Sequence, residues 1–150
     1  MAKLFYLMRN FHLKEEMHLQ SVLVVEDDEI SFLIFSEYLE TDGYKVIRAV
    51  NGKEAVSLVK NNKESFSLIL MDIIMPVMNG FEAAKKIKKI NKEIPIIAQT
   101  AIAFYWNDNK DFSDFDHVML KPLNFQKLGR LISSIINKNI ISNLLDFKSN

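Results

Sequence analysis

The sequence contains no cysteine. That excludes disulfides and thiol catalysis, leaves oxygen and imidazole as metal donors, and fits a reducing compartment, with the cytoplasm as the default setting. Charge of either sign is not in excess. The 19 Lys plus Arg balance 19 Asp plus Glu, so no overall field favours nucleic acid or an anionic membrane surface. No run of roughly 18 apolar residues occurs, and the N-terminal KLFYLMRN is broken by Arg9 before it reaches the length of a signal-peptide core. Neither export nor a membrane span is expected. What remains is local chemistry on one unit: 150 residues at 49% hydrophobic and 25% charged suit a single globular domain.

Five short β-branched and apolar segments recur: SVLVV at 21–25, KVIRAV at 45–50, SLILM at 67–71, IPIIAQT at 94–100 and HVML at 117–120. Their spacing is that of β-α units, and three are near-continuous apolar runs, as strands buried on both faces of a parallel sheet should be. Helical patterns lie between them. In EISFLIFSEYLETDGY, Ile30, Leu33, Ile34, Tyr38 and Leu39 form a stripe that ends at Asp42-Gly43. Ala55, Val56 and Val59 group behind Asn51-Gly52. Phe81, Ala84, Ile87 and Ile90 follow Asn79-Gly80, and Phe125, Leu128, Leu131, Ile132, Ile135 and Ile136 form the last stripe. The expected fourth helix, AFYWNDNKDFSDFD, has no clean 3.6-residue period and is rich in turn formers, so it should be short or irregular. Alternating β and α of these lengths predicts an open α/β fold with ligands at the carboxyl ends of the strands.

Those ends carry the chemistry. Glu26, Asp27 and Asp28 follow the first strand, Asp72 the third, Thr100 the fourth and Lys121-Pro122 the fifth, whereas the second contributes no reactive group. With strand one central, strands one and three are neighbours and Asp27 comes within metal-bridging reach of Asp72. Packed carboxylates repel, and a hard divalent cation relieves them; Mg²⁺, which takes oxygen ligands and keeps several waters, is the natural occupant. Asp72 is the candidate nucleophile for phosphoryl transfer, with the Thr100 hydroxyl and Lys121 ammonium placed to engage a phosphoryl group. Asp28 is read as the start of the first helix rather than as a ligand. Pro76 and Gly80 shape the loop.

In that order and near that spacing, VLVVEDDE, LILMDIIMPVMNG, IPIIAQTA and KP resemble the receiver domain of two-component response regulators. In style they look most like receivers attached to hybrid sensor histidine kinases. The resemblance spans residues 21–138, leaving an N-terminal extension over 1–20 and a tail over 139–150. It implies a flavodoxin-like doubly wound sheet of five parallel strands in the order 2-1-3-4-5, with helices on both faces. It also implies an aspartyl phosphate at Asp72. Mg²⁺ would be held by Asp27, Asp72 and the backbone carbonyl of Ile74 with Glu26 assisting, and Thr100 and Lys121 would sense the phosphoryl group. The implied partner is a sensor histidine kinase or a histidine phosphotransfer protein. The chain would be a signalling phosphoacceptor with weak self-dephosphorylation, not a metabolic enzyme. One departure stands out: where receivers carry Tyr or Phe three residues before the lysine, this chain has Val118, and the stretch from Thr100 to Lys121 is about one residue short.

Other features have plainer readings. His12, His18 and His117 lack metal spacing. Lys85, Lys86, Lys88 and Lys89 read as a solvated helix face rather than a nucleic-acid site. Phe104, Tyr105 and Trp106 are either a partner surface or cover over the sheet. Leu4, Leu7, Met8 and Phe11 follow a helical stripe over residues 3–16, and Ile140, Ile141, Leu144, Leu145 and Phe147 exceed what the fold needs, so either terminus offers a surface for a homodimer. The rival functions are a phosphorylation-independent interaction module with an altered output face and a haloacid-dehalogenase-type phosphohydrolase. The second wants an acid where Ile74 stands.

Overall fold

A computed structural model describes residues 20–61, 66–101 and 111–146, with side chains through residue 139. The N-terminal stripe, the 104–106 aromatics and the apolar residues of the tail lie outside the described residues or side chains. Five parallel strands, β1 (Ser21–Val25), β2 (Lys45–Ala49), β3 (Phe66–Asp72), β4 (Ile96–Thr100) and β5 (His117–Leu120), form one sheet in the order β2-β1-β3-β4-β5. The helices are α1 (Glu29–Thr41), α2 (Gly52–Lys60), α3 (Gly80–Ile90) and α4 (Phe125–Asp146). This is the expected flavodoxin-like architecture.

The strand alternation of period two divides each buried run between two cores. Leu23, Val25, Ile69, Met71, Ile96 and Ala98 face α2 and α3, meeting Ala55, Val59, Ala84 and Ile87. Val22, Val24, Leu68, Leu70, Ile97 and Met119 face α1 and α4, meeting Phe35, Leu39, Leu128, Ile132 and Ile136. Each helix begins at an Asp or Asn whose side chain accepts a first-turn N–H: Asp28 from Ser31 at 2.7 Å, Asn51 from Glu54 at 2.9 Å, Asn79 from Glu82 at 3.0 Å and Asn124 from Lys127 at 3.0 Å. Such caps satisfy a donor that the helix leaves open and each stabilises by about 1 kcal/mol. Asp28 is therefore the helix start that its position suggested.

The expected stripe on α1 holds at Tyr38 and Leu39 and is corrected in its first turns. Ile30, Leu33 and Ile34 are exposed, and the core residues are Phe35 and Leu39 with Phe32 and Tyr38 half-buried. Two apolar stripes of the same period overlap on this helix, and aromatic packing decides between them. Phe35 and Tyr38 lie 5.8 and 5.0 Å, ring to ring, from Phe125 of α4, and the Arg48 guanidinium sits 4.7 Å over the Phe32 ring. Ile90, expected to face the core, is likewise exposed at the end of α3. The lysine stretch is not uniformly solvated either. Lys88 donates to the carbonyls of Lys92 and Ile94 and to Asp116, whose carboxylate also accepts from the Ile96 N–H, tying α3 to the starts of β4 and β5. Helix α4 continues to Asp146, past residue 138, because neither Gly nor Pro interrupts the chain after Gly129.

The loop from β3 to α3 is tightly closed. Gly80 donates to the Ile73 carbonyl at 2.9 Å, Met78 to that of Pro76 at 2.7 Å, and Gly52 of α2 to that of Met78 at 3.1 Å. Between Pro76 and Met78, Val77 is held at φ 69° with its side chain exposed. A β-branched residue there is strained. Val77→Gly should stabilise the fold by about 1 kcal/mol, because the side chain contributes little burial and the left-handed penalty disappears. Thermal unfolding would register this as a rise of about 2–4 °C; an unchanged or lower midpoint would refute it.

Candidate functional site

Val25 and Met71 are paired across β1 and β3, so the residues that follow, Glu26 and Asp72, emerge side by side at the carboxyl edge. β3 is the middle strand and β1 its neighbour, so the acids share one crevice. One carboxylate oxygen from each of Glu26, Asp27 and Asp72 lies within 4.8 Å of the others. Three hard oxygen donors at this separation suit a small divalent cation such as Mg²⁺ better than a softer ion. Asp28, turned to cap α1, is not part of the cluster.

Lys121 crosses from the end of β5 to close the group. Its Nζ donates to Asp72 Oδ2 at 2.8 Å and to Glu26 Oε2 at 3.0 Å. The Lys121-Pro122 bond is cis. Glu26 is 1% exposed and Asp72 8%, so the ammonium is the charge that lets two carboxylates be buried together. Burial raises the Glu26 carboxyl above its ordinary value, with Lys121 pulling the other way. Burial would lower Lys121, but its hydrogen bonds to Asp72 and Glu26 outweigh that and hold it above the usual lysine value. The remaining acceptors are used as well: Glu26 Oε1 takes the Asp28 N–H at 3.3 Å, and Asp72 Oδ1 takes that of Ile74 at 3.3 Å.

Thr100 ends β4, 3% exposed, and its carbonyl accepts the Lys121 N–H at 2.8 Å. Glu26, Asp27, Asp72 and Lys121 are therefore brought together by their side chains, and Thr100 is joined to Lys121 through its backbone. The Ile74 backbone lies in the same loop, and its side chain is exposed.

Two residues that sequence reasoning missed belong here. Arg48 of β2 donates through Nε to the Glu26 carbonyl at 3.4 Å and through an Nη to that of Asp27 at 3.2 Å. The second strand thus does contribute: its guanidinium braces the acidic turn from behind while stacked on Phe32. The signal was a lone basic residue inside a strand otherwise apolar between its ends. Gln99 is paired with Asp72 across β3 and β4, is fully buried, and has neither amide atom hydrogen-bonded. A glutamine within an apolar strand was visible in IPIIAQT, but its isolation was not.

Val118, where an aromatic was expected, is half-buried in the α2–α3 core. Phe115 and Phe112 instead pack on Phe81 of α3, ring centroids 5.7 and 4.9 Å from it.

Comparison with known proteins agrees with this geometry. The model of the response regulator receiver domain matches residues 22–133. The peroxide stress-activated histidine kinase mak1 of Schizosaccharomyces pombe is 40% identical over 125 residues, covering 78% of this chain and 8% of that protein. The autoinducer 1 sensor kinase/phosphatase LuxN of Vibrio campbellii is 34% identical over 81% of this chain and 14% of its own length. The chain thus spans a small part of these relatives. Among solved structures, the receiver domain of the Pseudomonas aeruginosa sensor histidine kinase PA1611, with a magnesium ion coordinated in its active-site cleft, superposes with a TM-score of 0.72 at 27% identity, covering 79% of this chain and 98% of that one. The response regulator TrrA of Thermotoga maritima, in complex with Mg²⁺ and BeF, gives 0.68 at 30% identity over 77% and 98%. The match over most of the chain, the strand order and the acidic crevice lead to one assignment: the chain belongs to the response regulator receiver domain family of two-component signalling.

Proposed function

We propose that this receiver accepts a phosphoryl group on Asp72 from the phosphohistidine of a sensor histidine kinase or a histidine phosphotransfer protein, and thereby switches protein–protein contacts. The observation that carries this reading is Asp72 itself: buried at the end of the central strand, bonded to Lys121, and clustered with Glu26 and Asp27. An Asp72 oxygen attacks phosphorus in line, the P–N bond to imidazole breaks with its electrons on nitrogen, and an acyl phosphate forms. Lys121 neutralises the transferring group, and the buried Thr100 is the candidate hydroxyl partner. The carboxylates of Glu26, Asp27 and Asp72 with the Ile74 carbonyl would hold Mg²⁺, which supplies charge for the phosphoryl oxygens when bound. Water attack on phosphorus later restores the carboxylate.

A protein donor is supported by apolar side chains around the acidic crevice. Ile30 (70% exposed), Leu33, Ile34, Val50, Ile74, Val77 (77%) and Leu120 all face solvent. Large apolar side chains left exposed on the segments that follow the strands offer a partner protein apolar surface beside the acids. The absence of cysteine suits a cytoplasmic setting.

Incubation with acetyl phosphate or a phosphohistidine donor and Mg²⁺ should add one acid-labile phosphoryl group by intact mass, and Asp72→Asn should abolish it. No adduct on the wild-type chain would sink the reading. Partner binding indifferent to Asp72→Asn would instead favour a phosphorylation-independent interaction module.

A further inference from the structure

Gln99 is the one buried residue with both side-chain polar atoms unpaired among the described residues. Its position makes that informative. Across β3 and β4 it is opposite Asp72, and across β4 and β5 it is opposite Met119, two residues before Lys121. Ile97 and Met119 face the α1–α4 core, and Leu70 does so on β3. By strand alternation, Gln99, Asp72 and Lys121 therefore project from the same face of the sheet. Neighbouring strands run about 4.8 Å apart, so Gln99 stands directly beside Asp72 on the face of the sheet that α1 and α4 cover. The backbone carbonyl of Gln99 is engaged, accepting from the Ile73 N–H at 3.2 Å.

A buried carboxamide without partners is unfavourable, and such groups in native proteins mark stored strain or a functional role. Both carboxylate oxygens of Asp72 are occupied, Oδ2 by Lys121 and Oδ1 by the Ile74 N–H. A phosphoryl group on Asp72 changes that inventory, because it adds acceptor oxygens and draws the Lys121 ammonium towards them. We infer that Gln99 is a positioning residue that reports the state of Asp72 to the β5–α4 side of the sheet: its carboxamide is unpaired beside the free carboxylate and takes hydrogen bonds when Asp72 is phosphorylated. This rests on Asp72 being the phosphoacceptor. It supplies a route from the site that does not use the aromatic missing at Val118, since Gln99 faces α4 while Val118 packs in the opposite core.

Gln99→Leu tests it, with Gln99→Met as a second, unbranched variant in case leucine packs badly. Beryllofluoride with excess Mg²⁺ is the probe, read by thermal shift, by titration and by amide exchange over residues 117–132. Without the probe, Gln99→Leu or Gln99→Met should melt higher than wild type, because an unpaired buried amide is gone. With it, apparent beryllofluoride affinity should fall about fivefold, and the exchange change along β5 and α4 should be lost. A variant with wild-type affinity and an intact exchange response would overturn the role of Gln99 and leave Asp72 standing. A wild-type chain that neither binds beryllofluoride nor takes up phosphoryl groups would remove both.

Discussion

Gly80→Ala should destabilise the protein by about 3 kcal/mol and displace the phosphoacceptor strand end, because a methyl group there has nowhere to go. A Cβ on Gly80 would meet the Asp72 carbonyl oxygen and lie 2.9 Å from the Ile73 Cα. Both are backbone atoms at the carboxyl end of the central strand, held from the other side by β4 through the Ile73–Gln99 hydrogen bond. The strand cannot retreat without breaking its ladder. The cost is not one of backbone conformation, since Gly80 is the first residue of α3 and does not adopt a positive φ. By contrast, a Cβ on Gly129 would meet the hydroxyl of Tyr38, the far end of a side chain at a half-buried edge that can swing aside. For a chain of this size the Gly80 change corresponds to a fall of about 6–12 °C in thermal midpoint, accompanied by weaker beryllofluoride binding. A midpoint within a degree or two of wild type would show that α3 can slide away from β3, and the account of this loop would be wrong.

The same loop shows how much the order of amino acids makes legible by itself. Strands buried on both faces announce themselves by continuous apolar runs, so β1, β3 and β4 can be placed nearly to the residue. Once they are parallel neighbours, the acids after β1 and β3 must share an edge. The first turns of α1 are misread because Ile30, Leu33 and Ile34 are as apolar as Phe32 and Phe35. Hydropathy cannot say which stripe meets the sheet; the rings of Phe125 and Phe32 and the Arg48 cation select it from elsewhere in the chain. Arg48 and Gln99 escape notice for a related reason. Their roles depend on cross-strand register, Arg48 behind the Glu26–Asp27 turn and Gln99 opposite Asp72. The Phe81–Phe112–Phe115 packing is likewise invisible, because it depends on contacts between distant segments rather than on a motif.

Lys121→Met tests the electrostatics of the site in isolation from its chemistry. In the wild type one ammonium offsets two carboxylates that are almost wholly buried. Methionine keeps the length and apolar stem but leaves Glu26 and Asp72 facing each other with no cation between them. Breaking a buried pair this way costs about 3–5 kcal/mol in a fully desolvated setting, and about 2–3 kcal/mol here, where Lys121 is 26% exposed. The loss should depend on pH in a definite direction. Burial already holds the Glu26 carboxyl above its ordinary 4.5 in the folded chain, and removing Lys121 takes away the largest opposing influence. A carboxyl raised by folding binds protons more tightly folded than unfolded. Its favourable contribution is complete below the unfolded value and disappears as pH rises through the folded one. Lys121→Met should therefore fall less far below wild type at pH 5 than at pH 8, the loss of the Asp72 bond remaining at both. The wild-type Lys121 contribution, its own pKa being raised, persists until the solution becomes more alkaline than about 10.5. Millimolar Mg²⁺ should narrow the gap at pH 8, because a cation among Glu26, Asp27 and Asp72 replaces the missing charge. Urea unfolding of both proteins at pH 5 and pH 8, with and without Mg²⁺, measures all of this. A gap that is equal at the two pH values would mean that Lys121 acts through packing alone, and that the two carboxylates are solvated well enough to do without it.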